Sequence, residues 1–260
     1  MASWSITDLL SGMSPDRLRE LLARDASQAA AWVRITAHDG VAEGQLCYGR
    51  MLLEGTGVPR DVEAAFNWFL RAAAQRHVEA LNMVGRCYDM GWGTAASPEI
   101  ASRYYHRAAA AGDSWAQYNL GHLYLNGRGV ERDLARAYEC YMQAAMQGHP
   151  RAMNLVGRCC ELGWGRPPDA MEAAHWYERS ARGGYFRGQF NWATRLLEEG
   201  HTEEAAGWFE RAARSGTPAV RSAALWVLGS HPAFEARCSA EGRPEAGLSS
   251  SQAASRQPRA

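Results

Sequence analysis

Lysine is absent from the 260-residue chain, so all 28 basic residues are arginines. That removes catalysis through a lysine Schiff base and any phosphate-binding loop built on Gly-Lys. The 28 basic residues are matched by 28 acidic ones, and a chain without net charge has no whole-molecule field to draw it to nucleic acid or an anionic membrane. Cysteine is scarce and unevenly placed: Cys47, Cys87, Cys140, Cys159, Cys160 and Cys238 read as reduced, mostly buried small hydrophobes rather than as a disulfide framework. No apolar run reaches transmembrane length, and Met1 to Met13 lacks the basic start and apolar stretch of a secretory signal, so the expected compartment is the cytoplasm. The eight histidines form no His-Glu-x-x-His and no Cys-x-x-Cys occurs, so no metal site is expected. No Gly-x-Ser-x-Gly elbow marks a nucleophile either.

What the sequence does contain is a period. Gly49, Gly85, Gly121 and Gly157 follow one another at intervals of 36 (85−49), and Ala193 continues the series with another small residue. The same step links Gly55, Gly91, Gly127 and Gly163, then Gly57, Gly93, Gly129 and Gly165, then Asp61, Ser97, Asp133 and Asp169. An aromatic register runs through Phe69, Tyr105, Tyr141 and Tyr177. A fifth unit shortens its loop, so that Trp208-Phe209 follows Trp176-Tyr177 after 32 residues (208−176). Each unit reads as helix, turn, helix: apolar residues at helical spacing, a glycine stop, a second permissive glycine, then a capping Asp or Ser before the next helix. Self-similarity at this period is the mark of a solenoid whose units bury their faces against their neighbours.

This divides the chain into residues 1–40, an N-terminal capping helix with an incomplete leading repeat, and 41–217, five repeats (41–77, 78–113, 114–149, 150–185, 186–217). A C-terminal capping helix over 218–230 and a disordered tail over 231–260 follow. Within the leading segment, 14–24 (SPDRLRELLAR) reads as an amphipathic cap. The tail is rich in Ser, Ala, Arg, Gly and Pro. Units two and four resemble each other more than either resembles unit three: ALNMVGRCYDMGWG from Ala80, AMNLVGRCCELGWG from Ala152, against AQYNLGHLYLNGRG from Ala116. A 72-residue double unit is the suggested ancestral block.

The segment AQYNLGHLYLNGRGVERDLARAYECYMQAAMQGH, Ala116 to His149, resembles the SEL-one-like repeat, a relative of the tetratricopeptide repeat with a longer Gly-x-Gly-Val loop. The resemblance covers roughly residues 41 to 217. It implies an all-α fold, a right-handed α/α superhelix whose concave face is lined by first helices. It also implies a non-enzymatic scaffold that receives a protein or peptide partner; no cofactor is expected, the charge balance and short apolar runs argue against nucleic acid and membrane, and the oligomeric state stays open. Thr94 and Arg166 replace the loop Val in units two and four, and the first three units carry one cysteine each, unlike secreted relatives that often bridge a pair in each repeat.

Counting from the repeat glycine, the positions three before, one after and four after share one face of each first helix. They hold Asn82, Arg86 and Asp89; Tyr118, His122 and Leu125; and Asn154, Arg158 and Glu161. By resemblance this face is the groove, where Asn and Arg suit a peptide carboxylate or backbone. The plainer reading makes Arg86 with Asp89, and Arg158 with Glu161, i,i+3 surface pairs. Trp92 and Trp164, in the Gly-x-Gly loops, are either partner anchors or packing against the adjacent loop. The Gly-x-Gly element is not a nucleotide loop, because it follows a helix and recurs in every full unit. Competing functions are a hydrolase or binder of cell-wall or lactam-type substrates, and an RNA-binding helical repeat. No triad supports the first, and zero net charge argues against the second.

Overall fold

The computed structural model describes residues 25–234. The helix read over 14–24 and the tail beyond 234 lie outside the described residues, as does Cys238. Twelve α-helices run in chain order: α1 (Ala26–His38), α2 (Ala42–Glu54), α3 (Val62–Ala74), α4 (Val78–Met90), α5 (Pro98–Ala110), α6 (Ser114–Asn126), α7 (Leu134–Met146), α8 (Pro150–Leu162), α9 (Ala170–Arg182), α10 (Phe186–Glu198), α11 (Thr202–Ser215) and α12 (Pro218–Ser230). A single 3-10 turn, Pro232–Phe234, ends the described chain, and no strand occurs in it. The expected all-α solenoid is what the chain forms.

Each helix stops and starts for a local reason. Asp25, Asp61, Ser97, Asp133 and Asp169, all in one 36-residue register, cap α1, α3, α5, α7 and α9 by accepting from the amide three residues on. Gly127 ends α6 in the left-handed region, φ 66°, with its amide bonded back to Leu123. The second glycine of the loop has a different task. A Cβ on Gly129 would run into the backbone of Pro98 and Glu99 at the start of α5, so the loop of one unit lies directly on the second helix of the unit before.

The aromatic register fills the space that the small register leaves. The Tyr141 ring lies across Gly121, where a Cβ would meet it at 2.6 Å, and Phe69, Tyr105 and Tyr177 lie likewise across Gly49, Gly85 and Gly157. Tyr105, Tyr141, Tyr177, Phe69 and Phe209 are all completely buried. Buried apolar residues from Ala30 to Tyr177 form one continuous cluster, a second spans Ala193 to Phe234, and Trp192 packs against both. The core is therefore a string of interfaces between neighbours, as stacking of hairpins requires.

Contacts run pairwise along the chain, α2 with α3, α3 with α4, and onward to α11 with α12. First helices also meet one another, α8 with α10 and α10 with α12, so they form the tighter, inner layer. On the second helices an arginine three residues after the outer aromatic stacks over it: Arg71 on Trp68, Arg179 on Trp176 and Arg211 on Trp208, each at 4.5 Å. Unit three has Cys140 and Gln143 at these positions and no such stack.

Candidate functional site

Helices α6, α8 and α10, with α12 at the far edge, enclose a cleft of about 340 Å³ on the inner layer. Tyr118, His122, Leu125, Asn154 and Arg158 line it, so the structure brings unit three's inner face together with the Asn and Arg of unit four. The remaining groove candidates, Asn82, Arg86, Asp89 and Glu161, stand outside its lining, and so do Trp92 and Trp164.

The i,i+3 pairing along one helix, the plainer of the two readings, is replaced by pairing between units. Asp89 binds Arg128 of the next unit at 2.9 Å, and Glu161 pairs with Arg195 of the next unit while accepting from the Tyr177 hydroxyl at 2.7 Å. Arg86 and Arg158 instead stack on indoles, Arg86 over Trp92 at 5.0 Å and Arg158 over Trp164 at 4.9 Å. The Gly-x-Gly tryptophans are half-buried, packed on the core and capped by these guanidinium groups. Asn154 is buried and accepts from Asn191 at 2.8 Å; Asn82 accepts from Asn119 at 3.0 Å in the same way.

Tyr185, Arg187, Phe190 and Asn191 complete the cleft from the start of α10 and were not among the sequence candidates. A signal for two of them was available: Arg187 stands 36 residues after Arg151, and Tyr185 holds the pre-helix position that His149 holds before α8. The face read from the sequence spans units two to four, and these residues stand at the start of the first helix of unit five.

One wall of the cleft is an aromatic stack. The Tyr118 ring lies against His149 at 5.1 Å and edge-on to His122 at 4.6 Å, while Trp115 meets His149 edge-on at 4.4 Å. Arg151 spans the Trp115 and Tyr185 rings. Burial holds His122 below the ordinary histidine range. Burial first and Arg151 second bring His149 down to about 4, so both imidazoles are neutral at neutral pH. Burial raises the Tyr118 hydroxyl, which stays protonated. The fixed charges in the lining are Arg158 and Arg187, with no carboxylate among them. A molecule of zero net charge thus has a locally positive cleft.

Burial pushes the Cys87 and Cys159 thiols up to about 12, and among the described residues no three His, Cys, Asp or Glu side chains come together as metal ligands. No helix of the described residues is long and apolar enough to cross a membrane.

Comparison with known proteins agrees with this architecture. The Sel1 repeat model matches residues 42–77, 78–113, 116–149, 150–185 and 187–217, more than half of the chain. A Sel1 repeat protein from Oxalobacter formigenes is similar at 27% identity, with a TM-score of 0.69 over 80% of this chain and 90% of that one. A protective antigen of uropathogenic Escherichia coli strains, with an SLR fold, is similar at 27% identity and TM-score 0.64, over 85% of this chain and 50% of that one. Chitin synthase regulatory factor 3 of Schizosaccharomyces pombe (strain 972 / ATCC 24843) is 36% identical over 55 residues, which span 21% of this chain and only 6% of that protein. With five repeats matched in sequence and stacked in space, the chain belongs to the Sel1 repeat family.

Proposed function

We propose that the protein is a non-enzymatic interaction scaffold that holds an extended peptide segment of a protein partner in the cleft between α6, α8 and α10. The observation that carries this reading is the lining itself. Two arginines, a wall of rings and a bonded pair of asparagine amides, Asn154 buried and Asn191 half-buried, converge on a concavity of about 340 Å³ without a carboxylate or a low-pKa thiol. Rings supply rigid contact area, amides match a peptide backbone, and guanidinium groups match carboxylates. Trp164 supports Arg158 from behind, and Trp92 does the same for Arg86 outside the cleft. In the same reading residues 41–217 are the binding solenoid, 1–40 and 218–230 its caps, and the cytoplasm its compartment. The five free cysteines at 47, 87, 140, 159 and 160 suit a reducing milieu.

Selection from a displayed library of random peptides tests the reading, with the full chain as bait. Enriched peptides should bind the wild type and lose about tenfold or more in affinity on Arg158→Ala combined with Arg187→Ala, while circular dichroism stays unchanged. Undiminished binding by the double variant would remove the cleft from the function.

A further inference from the structure

Two positions vary together down the solenoid. The ring that crosses the small residue is Phe69, Tyr105, Tyr141, Tyr177 and Phe209 in units one to five. The residue four beyond that small residue on the first helix is Leu53, Asp89, Leu125, Glu161 and Leu197. Units one and five pair Phe with Leu. Units two and four pair Tyr with an acid: the Tyr177 hydroxyl donates to Glu161 at 2.7 Å, and the Tyr105 hydroxyl faces Asp89. Each acid also holds an arginine of the following unit, Arg128 for Asp89 and Arg195 for Glu161.

Unit three alone mixes the two solutions, Tyr141 with Leu125. Tyr141 is completely buried and its hydroxyl has no hydrogen-bond partner. Native interiors rarely leave such a donor unanswered, and unit one shows that phenylalanine was available for the same place. His122, edge-on to the Tyr141 ring at 5.5 Å, and Leu125, at the position of the absent acid, both line the cleft. Arg158, from the following unit, lines it as well, and its charge acts on Tyr141.

We propose that unit three takes from its ligand the carboxylate that units two and four supply themselves. The Tyr141 hydroxyl donates to, and Arg158 pairs with, an acidic side chain or terminal carboxylate of the peptide segment in the cleft. This deepens the scaffold reading and rests on it. Burial holds the Tyr141 hydroxyl above the usual phenol range, so it remains a donor. Tyr141 is not itself in the cleft lining, and its ring meets the lining residue His122 edge-on, so the proposed contact includes rotamer changes of His122 and Leu125. Binding a carboxylate there rebuilds the arrangement seen at Glu161: one acid shared by a buried tyrosine and an arginine of the next unit.

The test uses peptides selected by the full chain and measures three forms of each by fluorescence anisotropy: as selected, with Asp and Glu changed to Asn and Gln, and with the C-terminus amidated. Wild type should prefer a carboxylate form by about tenfold or more. Whichever replacement abolishes the preference tells side chain from terminus as its source. Tyr141→Phe should erase most of that preference, bringing the carboxylate form toward the affinity of the neutral ones. Leu125→Glu, which installs the pairing native to unit four, should abolish the preference from within, and it keeps the test decisive if Tyr141→Phe fails to fold. Peptides bound by wild type without preference for a carboxylate, or with a preference that both variants retain, overturn the carboxylate site and leave the scaffold standing. Failure to select any peptide overturns both.

Discussion

Asn191 donates to Asn154 at 2.8 Å, and 72 residues earlier (191−119) Asn119 donates to Asn82 at 3.0 Å. Gln147 donates to Gln117 at 2.7 Å, and Gln75 to Gln45 at 2.9 Å, with the same spacing (147−75). The 72-residue spacing legible in the sequence thus recurs in side-chain amide bonds, the Asn pairs joining units two to three and four to five and the Gln pairs lying within units one and three. Asn82 is buried, so losing its partner Asn119 leaves an amide desolvated and unpaired, which costs about 1–3 kcal/mol, and truncating Asn82 itself forfeits the same bond and its packing. Asn82→Ala and Asn119→Ala should each destabilise by about that amount and together by less than their sum, a coupling of about 1 kcal/mol in urea denaturation. Strict additivity would show that the bond contributes nothing.

Glycine has opposite meanings at two helical positions. A Cβ at Gly121 would meet the Tyr141 ring at 2.6 Å, whereas nothing lies within 4 Å of one at Gly207. Gly121→Ala should destabilise by about 1–3 kcal/mol through overpacking at the α6–α7 contact. Gly207→Ala should stabilise by about 0.5–1 kcal/mol by restricting the unfolded chain. Thermal melts of the two variants should therefore move in opposite directions.

Gly121 also shows what the sequence makes legible. A small residue every 36 positions and a ring in step with it announce a helix pair and its packing, because each depends on contacts within one unit. Asn154 and Arg158 could be placed on an inner face for the same reason. What Asp89 and Glu161 bind could not be read, since their partners Arg128 and Arg195 come from the following unit at different repeat positions. Local spacing favoured Arg86 and Arg158, which turn to the indoles of Trp92 and Trp164. Tyr185 and Arg187 lie at the start of α10, the first helix of unit five, where Ala193 stands for the repeat glycine that defined the face in units two to four.

The thiols give a prediction about reactivity. Burial is the first cause raising Cys47, Cys87 and Cys159 to about 12 and Cys140 and Cys160 to about 11, from an ordinary 9.0. Only the thiolate attacks an alkylating agent, and at neutral pH its fraction falls to about one in ten thousand or less at such values. These five cysteines should stay unmodified by iodoacetamide in the native protein and react once it is unfolded in urea, as read by peptide mass spectrometry. Rapid native labelling of Cys159 would show that its helix opens readily.

His149 sets an acid limit on stability. Its Nδ1 accepts from the Ala152 amide at 3.2 Å as the cap of α8, and its buried Nε2 has no partner to receive a proton's hydrogen bond. Trp115 and Tyr118 enclose the ring and Arg151 adds a repelling charge, so the folded chain holds it near 4 against an ordinary 6.5. Between those values the unfolded chain binds a proton that the folded chain refuses. Stability is therefore full above pH 6.5 and declines as pH falls toward 4, by a total of about 3 kcal/mol. His122 and His106, also lowered, act in the same direction. Asp113, raised by burial, opposes them by taking up its proton more readily when folded. His149→Asn keeps a capping oxygen and removes the titration, so its unfolding free energy should fall less than that of the wild type between pH 7 and pH 5 in urea denaturation. Equal slopes for the two proteins would mean that the imidazole accepts its proton inside the folded stack.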